Sequence, residues 1–285
     1  MAEKKIELSI IIVNWNGAEF VGKCLKSVFE SKFNKPWEVI VIDNNSSDKS
    51  VEIIKQFPQV IAIENKENVG FGAANNQALK QATGKFVFLL NPDTQIFPDS
   101  MEKLVKKIEE EEKIAIVAPQ LVNENGSLQK EIGHFPGLVD SILVLLKLHR
   151  LPFFKDLVYP KVDYSQEQEA EHLMGSALLI RSEVLNSVGV FDEHFFLWFE
   201  ETDLEKRIKD AGWKLIYYPQ VRVVHLLSKS IKQVSPLKRQ LMWSKSLGIY
   251  FRKHKSLVEQ ILLLPFIILG LIIAGSMSLK NIFSK

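Results

Sequence analysis

The chain has 285 residues, 46% hydrophobic and 25% charged, a globular composition with material for one large domain plus an appendage and no case for disorder. Its 36 basic and 34 acidic residues leave a net charge of +2, so nothing in the balance points to nucleic acid as a partner. A single cysteine, Cys24, rules out an internal disulfide and lacks zinc-spaced neighbours, which fits a reducing compartment and a small apolar core residue.

Met1 to Glu7 carries Lys4 and Lys5 and leads into only a short apolar run that meets polar Asn14, unlike a secretory signal, so the chain is expected to start inside the cell. Residues 8–13 (LSIIIV), 38–42 (EVIVI) and 86–90 (FVFLL) are short, β-branched-rich runs that read as buried strands. Between them, 20–31, 50–57 and 72–82 have helical spacing. Strands alternating with helices predict an α/β domain with a mostly parallel sheet flanked by helices. Residues 100–113 follow as an exposed amphipathic helix with a solvated Glu/Lys face, and 114–118 as a further strand. The apolar run 138–148 (LVDSILVLLKL) is too short to span a bilayer and reads as a core or interfacial helix.

In such sheets ligands sit beyond the carboxyl ends of the strands, and each predicted strand ends in polar residues. Asn14 and Asn16 follow the first, Asp43, Asn44 and Asn45 the second, Asn91 and Asp93 the third. Asp43 in VIDNNSSD suits ribose hydroxyls or a base N–H, and equally suits a turn or helix cap. NVGFGAANN, residues 68–76, sets Asn68, Gly70 and Asn75 around a helix start where backbone N–H groups can approach phosphate; it is not G-x-G-x-x-G, and a plain strand-to-helix loop also needs glycine. Asn91-Pro92-Asp93 puts a carboxylate where Mg²⁺ or Mn²⁺ could be held against a diphosphate, and is turn chemistry as well.

The strongest local feature is FFLWFEETDLEKR, residues 195–207, in which aromatics run into Glu200, Glu201 and Asp203 at the start of a helix. Acids in a first turn favour the dipole, but three carboxylates against an apolar wall also repel, which raises at least one pKa and suits a general base. His225, ending a strand at 222–224, is a candidate metal ligand or acceptor contact, with a structural histidine as the competitor.

Near the C-terminus, 261–277 (ILLLPFIILGLIIAGSM) is a run of roughly 17 uncharged residues, close to the lower limit for a spanning helix. Lys245, Arg252, Lys253 and Lys255 precede it and only Lys280 and Lys285 follow, an asymmetry that puts the large domain at the cytoplasmic face of the membrane. The expected partition is 1–230 as catalytic domain, 231–256 as a basic juxtamembrane helical region starting near Lys229, and 257–279 as a membrane-associated or transmembrane helix.

Taken in order, SIIIVNWNG, VIDNNSSD, ENVGFGAANN, FVFLLNPDT, MGSALLIR, FFLWFEETDLEKR and VVHLLS resemble the inverting family 2 glycosyltransferases, especially their rhamnosyltransferase-like bacterial members, over roughly residues 8–230. The resemblance implies the A-type glycosyltransferase fold, a nucleotide-diphosphate sugar donor, possession of a divalent cation and transfer to a saccharide or polyprenyl-linked acceptor in cell-wall or surface-polysaccharide synthesis. On that basis Asp43 corresponds to the nucleoside-binding aspartate, Asp93 to the metal-binding end of D-x-D, and Glu201 to the base position of a Glu-Asp pair. Met174 to Arg181, with Gly175 and Ser176, then face the acceptor together with Trp198 and Asp203. Two positions depart from the pattern. Asn91 replaces the first acid of D-x-D, and Glu201 replaces Asp, so either Glu200 or Glu201 can act as base; His225 resembles a histidine that completes the metal site in some relatives. A sugar-phosphate nucleotidyltransferase is the enzyme alternative, although the first turn, NWNGAEF, lacks the expected basic loop. A non-catalytic sugar-nucleotide or lipid-binding membrane protein is the other.

Overall fold

The computed structural model describes residues 5–227 and 234–283. The chain opens with β1 (Leu8–Asn14), α1 (Val21–Phe29), β2 (Trp37–Asp43), α2 (Ser50–Ile54), β3 (Val60–Glu64), α3 (Phe71–Leu79) and β4 (Phe86–Leu90). It continues through β5 (Thr94–Ile96), α4 (Ser100–Glu109), β6 (Ile114–Val122), β7 (Ile132–Gly133), α5 (Leu138–Leu145), a 3-10 turn at Leu148–Arg150 and α6 (Pro152–Val158). Then come β8 (Gln168–Ala170), β9 (His172–Leu173), β10 (Ala177–Arg181), α7 (Ser182–Val188), α8 (Glu200–Asp210) and β11 (Lys214–His225). Two long helices, α9 (Pro236–His254) and α10 (Leu257–Phe283), follow. The expected boundary at 230/231 and the start of the basic stretch at Lys229 lie outside the described residues.

Local pattern explains the helices that cover the sheet. In α1 the buried residues are Val21, Cys24, Leu25 and Val28, and in α4 Met101, Leu104, Val105 and Ile108 are among them, each set forming a stripe at helical spacing. Cys24 is a core residue, and burial raises its thiol pKa to about 12. The strands expected at 8–13, 38–42, 86–90 and 114–118 are present. The edge strand β3, whose side chains are half-buried or exposed, lacks the continuous apolar signature of its neighbours.

The sheet has nine strands in the order β3-β2-β1-β4-β10-β6-β11-β5, with β8 also on β11. It is mixed rather than mostly parallel. The β3, β2, β1 and β4 set is parallel, as are β6 and β11, but β10 runs antiparallel to both β4 and β6. The reason lies in the excursion from 123 to 176. It stays at the edge where β6 ended instead of crossing back over the sheet, so β10 starts beside the end of β4, with Ala177 opposite Leu90. That path carries Gly175 and Ser176 to the same edge as the tips of β1, β2 and β4.

Two apolar clusters fill the two faces of the sheet. One includes Ile10, Ile12, Val41, Phe88 and Leu104; the other includes Ile11, Ile40, Leu89, Leu204 and Ile208, as alternation along buried strands requires. A third cluster is separate. It joins Leu145 of α5, Phe195 and Phe199 of the loop before α8, Leu247, Tyr250 and Phe251 of α9, and Leu263 of α10.

Candidate active site

The β1–β2 register pairs Asn14 with Asp43, so both side chains emerge together at the sheet edge. The Asn14 amide donates to Asp43 Oδ1 at 2.8 Å and to Ser46 Oγ at 3.1 Å. Ser46 in turn donates to Asp43 through its backbone N–H at 2.9 Å and its hydroxyl at 2.7 Å. Asp43 is thus 4% exposed and bonded within its own turn, the arrangement of a cap as much as of a ligand contact. Asn14 Oδ1 is buried without a partner. Asn16 and Asn45 both adopt left-handed backbone, with φ of 50° and 62°, and Asn16 Oδ1 accepts from the Ser47 N–H at 2.8 Å; Asn45 is exposed.

Asn44, 2% exposed, fastens the next loop to this edge. Its amide donates to Asn68 Oδ1 at 2.9 Å and to the Gly70 carbonyl at 3.2 Å, and its Oδ1 accepts from the Val69 N–H at 3.1 Å. Gly70 has φ of +92°, and a Cβ there would lie 2.6 Å from the Phe196 carbonyl oxygen, so only glycine lets the loop before α8 pass this close. Asn75 is not directed at a ligand: it is 1% exposed and its amide bonds the Phe71 carbonyl of its own helix. Its neighbour Asn76 instead clamps the Phe191 backbone, donating to the carbonyl at 2.9 Å and accepting from the N–H at 3.1 Å.

Asp93 and His225 meet because β5 pairs antiparallel with β11, placing Thr94 opposite His225. The Leu226 N–H donates to the Asp93 carbonyl at 2.9 Å, and His225 Nε2 lies 3.4 Å from Asp93 Oδ2. Gln129 fixes the imidazole. Its amide nitrogen is bound to the His225 and Asn123 carbonyl oxygens, so its Oε1 is what meets His225 Nδ1, at 2.8 Å, and Nδ1 must carry the proton. In that tautomer the Nε2 lone pair of His225 is turned toward the Asp93 carboxylate. No group of three or more His, Cys, Asp or Glu side chains suited to a metal occurs among the described residues. Asn91 contributes backbone only: its N–H donates to the Ser176 carbonyl at 2.9 Å and its carbonyl accepts from Thr94.

Trp198 and Phe199 precede α8 with φ of 65° and 70°, a strained pair of bulky residues held by the third apolar cluster. They aim Glu200 and Glu201 in different directions. Glu200 is 3% exposed and packs toward Gly72 of α3; burial first, and the Glu201 charge second, push its carboxyl well above the usual range. Glu201 is half-buried and lies against Gly175, where a Cβ would come within 3.1 Å of its Cγ. Through Gly175 and Ser176 it adjoins Asn91 and the Asp93 turn, while Gly17 of the Asn14 turn approaches Pro92. Behind it, His172 Nδ1 bonds Glu205 at 2.5 Å; burial opposes the imidazolium, but the charges of Glu205 and Glu201 outweigh it and raise the His172 pKa.

Asp203 departs from its expected place on the acceptor side. It is fully buried and bonds His254 at 2.8 Å, Lys253 at 2.8 Å and Arg207 at 3.0 Å, tying α8 to α9. Burial alone would raise its carboxyl, and these bonds hold it below the ordinary value instead. Gln129 and His172, outside every quoted motif, also hold the frame, as do Asn44, Asn76 and Glu205, which lie inside quoted motifs but were given no role of their own.

The family model described as Glycosyl transferase family 2 matches residues 9–189. The chain is 25% identical over 233 residues to the N-acetylglucosaminyl-diphospho-decaprenol L-rhamnosyltransferase of Mycobacterium tuberculosis, covering 76% of this chain and 75% of that protein. Among solved structures it is similar to the mannosyltransferase PcManGT from Pyrobaculum calidifontis in complex with GDP-Man and Mn²⁺, with a TM-score of 0.60, 17% identity, and coverage of 96% of this chain and 74% of the other. It is also similar to GalNAc-T7 with UDP, GalNAc and Mn²⁺, with a TM-score of 0.60, 21% identity, and coverage of 79% of this chain and 44% of that one. At these identities the structural likeness is one of fold, the A-type glycosyltransferase fold.

Proposed function

We propose that this chain, which belongs to glycosyl transferase family 2 and is a glycosyltransferase, moves a sugar with inversion from a nucleotide-diphosphate donor to a hydroxyl of a lipid-linked saccharide. The observation that carries the reading is that Glu201 lies against Gly175, whose neighbour Ser176 bonds the Asn91 backbone beside the Asp93–His225 pair. Inversion needs one base and one stabilised leaving group, and no enzyme nucleophile.

Glu201 is the base in this reading. It lies half-buried against Gly175 while Glu200 is buried against α3, so Glu201 is the carboxylate placed to face the acceptor hydroxyl and take its proton. Asn14, Asp43 and the loop from Asn68 to Gly70 cradle the donor's nucleoside and diphosphate. Asp93 and His225 fit a divalent cation, the lone pair of one facing the carboxylate of the other, and a mixed oxygen and nitrogen set suits Mn²⁺ better than Mg²⁺. Such a cation, when bound, neutralises negative charge on the departing diphosphate.

The name of the mycobacterial relative supports rhamnose as the sugar and a diphospho-prenol-linked saccharide as the acceptor. α10 supports the same picture, as the one described helix long and apolar enough to cross a membrane, with most of its apolar stretch Leu257–Ser278 unburied. The catalytic domain then sits at the cytoplasmic face, with 231–256 at the membrane surface and 257–279 in it. The test is donor turnover with and without Mn²⁺, together with thermal shifts by nucleotide diphosphates. A Mn²⁺-dependent rise in melting temperature with a uridine or thymidine diphosphate is expected; full activity after exhaustive chelation would remove the cation from Asp93 and His225.

A further inference from the structure

A cavity of about 280 Å³ opens where α5, the 3-10 turn, α9 and α10 meet. Lys147, Arg150 and Arg239 line it, with Trp198 and Trp243 as aromatic walls and Ala274 and Met277 of α10 on the apolar side. No acidic residue is among the described residues that line it.

Three features show that this concentration of positive charge is built and not a solvated face. Arg239 Nε is buried with no hydrogen-bond partner among the described residues, an expensive state for a guanidinium unless an acceptor arrives. Lys147 sits at φ of 60°, a left-handed conformation that costs a non-glycine residue energy, and this bend turns its ammonium onto Gln240 Oε1 at 2.7 Å. Burial, and after it the charges of Arg150 and Arg239, lower the Lys147 pKa, so the cluster is self-repelling.

The cavity also touches the turn before α8 and the apolar helix. Trp198 lines it, and the Trp198 backbone hydrogen-bonds the Glu200 carboxyl. Exposed apolar residues, Ile268 and Ile272 on α10 and Phe153 on α6, lie on the elements around it. A lipid-linked anion bound here therefore lies against the turn that leads into α8, and its hydrocarbon chain can run out along α10.

We propose that Lys147, Arg150 and Arg239 form the site for the diphosphate headgroup of an isoprenoid-linked saccharide acceptor, with Trp198 and Trp243 flanking the headgroup and its first sugar. Guanidinium forks and an ammonium bind phosphate oxygens by charge-assisted hydrogen bonds. The proposal rests on the lipid-linked-acceptor reading above and adds where that acceptor is held.

The experiment uses the full chain with phosphatidylcholine vesicles that are plain, doped with polyprenyl diphosphate, or doped with phosphatidylglycerol at matched charge. Wild type should bind the polyprenyl diphosphate vesicles about tenfold or more tightly than the matched phosphatidylglycerol vesicles, and Lys147→Gln/Arg239→Gln should lose that preference while binding plain vesicles as before. Arg150→Gln, at an exposed position, should lower the preference in a protein whose fold is not at risk. Nucleotide-dependent thermal shifts check that each variant holds donor. Equal binding to both anionic vesicles would overturn the proposal in favour of a general anionic surface, and inorganic pyrophosphate binding as tightly as the lipid would overturn it in favour of a free phosphate site. If wild type uses lipid-linked acceptors better than soluble ones and the variants do so equally well, this assignment falls and the parent reading stands. If wild type prefers a soluble saccharide, the parent reading falls as well.

Discussion

The sheet edge that presents Asn14, Asp43 and Asp93 differs in construction from the lobe made by α5, α9 and α10. At the edge most polar groups bond one another: Asp43 accepts from Ser46 and Asn14, and Asn44 bonds the 68–70 loop, with Asn14 Oδ1 left over. In the lobe cavity, Lys147 and Arg239 come from segments far apart in the chain and no acidic residue is among the described residues that line it. The two meet at the strained Trp198–Phe199 turn, which belongs to the apolar cluster of the lobe and delivers Glu200 and Glu201 to the edge. A framework that holds itself in shape can receive a donor without rearranging, whereas a frustrated cluster gains most when its ligand arrives.

Substitutions should separate these two kinds of construction. The largest effect is expected at the junction, where Glu201→Gln should lower turnover by about 10²- to 10⁴-fold with donor affinity nearly unchanged, read from steady-state kinetics and nucleotide thermal shifts. Comparable turnover in that variant would transfer the base to Glu200. At the edge, Gln129→Leu releases the His225 ring and should weaken Mn²⁺-dependent nucleotide binding by about 10- to 100-fold, measurable by calorimetry without any turnover.

Asp203→Asn probes the link between the two regions and should cost about 1.5–3 kcal/mol in urea unfolding, through weakened bonds to Lys253, His254 and Arg207. Because the folded pKa of Asp203 is depressed, its contribution is present above the unfolded carboxylate range and disappears as pH falls through the folded value, so the gap between variant and wild type should close in acid.

Glu131 gives the opposite sign. It is 3% exposed, burial pushes its carboxyl up to about 8, and its Oε2 has no partner. The folded state therefore holds a proton that the unfolded chain releases, and its stabilising effect declines as pH rises from about 4.5 to 8. Glu131→Gln should flatten that decline in a melting-temperature series. The smallest effect is expected within the lobe, where a Cβ at Gly270 would stand 3.2 Å from Leu145 Cδ2 and from its carbonyl oxygen. Gly270→Ala should loosen α10 from α5 by roughly 1 kcal/mol, seen as faster hydrogen exchange in α5.

Much of the edge was legible because a buried strand announces itself by an apolar run, and its first polar residues fall at the tip whatever the rest of the chain does. Asn14, Asp43 and Asp93 were found in this way. Asn75 and Asp203 were misplaced for a common reason: a polar residue on a helix faces one of several directions, and packing chooses which. Asn75 turned back on its own helix and its neighbour Asn76 took the clamping position; Asp203 turned onto α9.

The sequence by itself determined the alternating strands and helices, the polar strand ends, the acidic start of α8 and the apolar C-terminal helix, since these depend on periodicity and composition over short windows. Only the tertiary structure decided that β10 runs against its neighbours, that Gln129 sets the proton on His225, and that Lys147, Arg150 and Arg239 share one cavity. Each of these depends on which distant backbone passes nearby, and that is fixed by burial of the whole sheet and the third apolar cluster, not by any local run of residues.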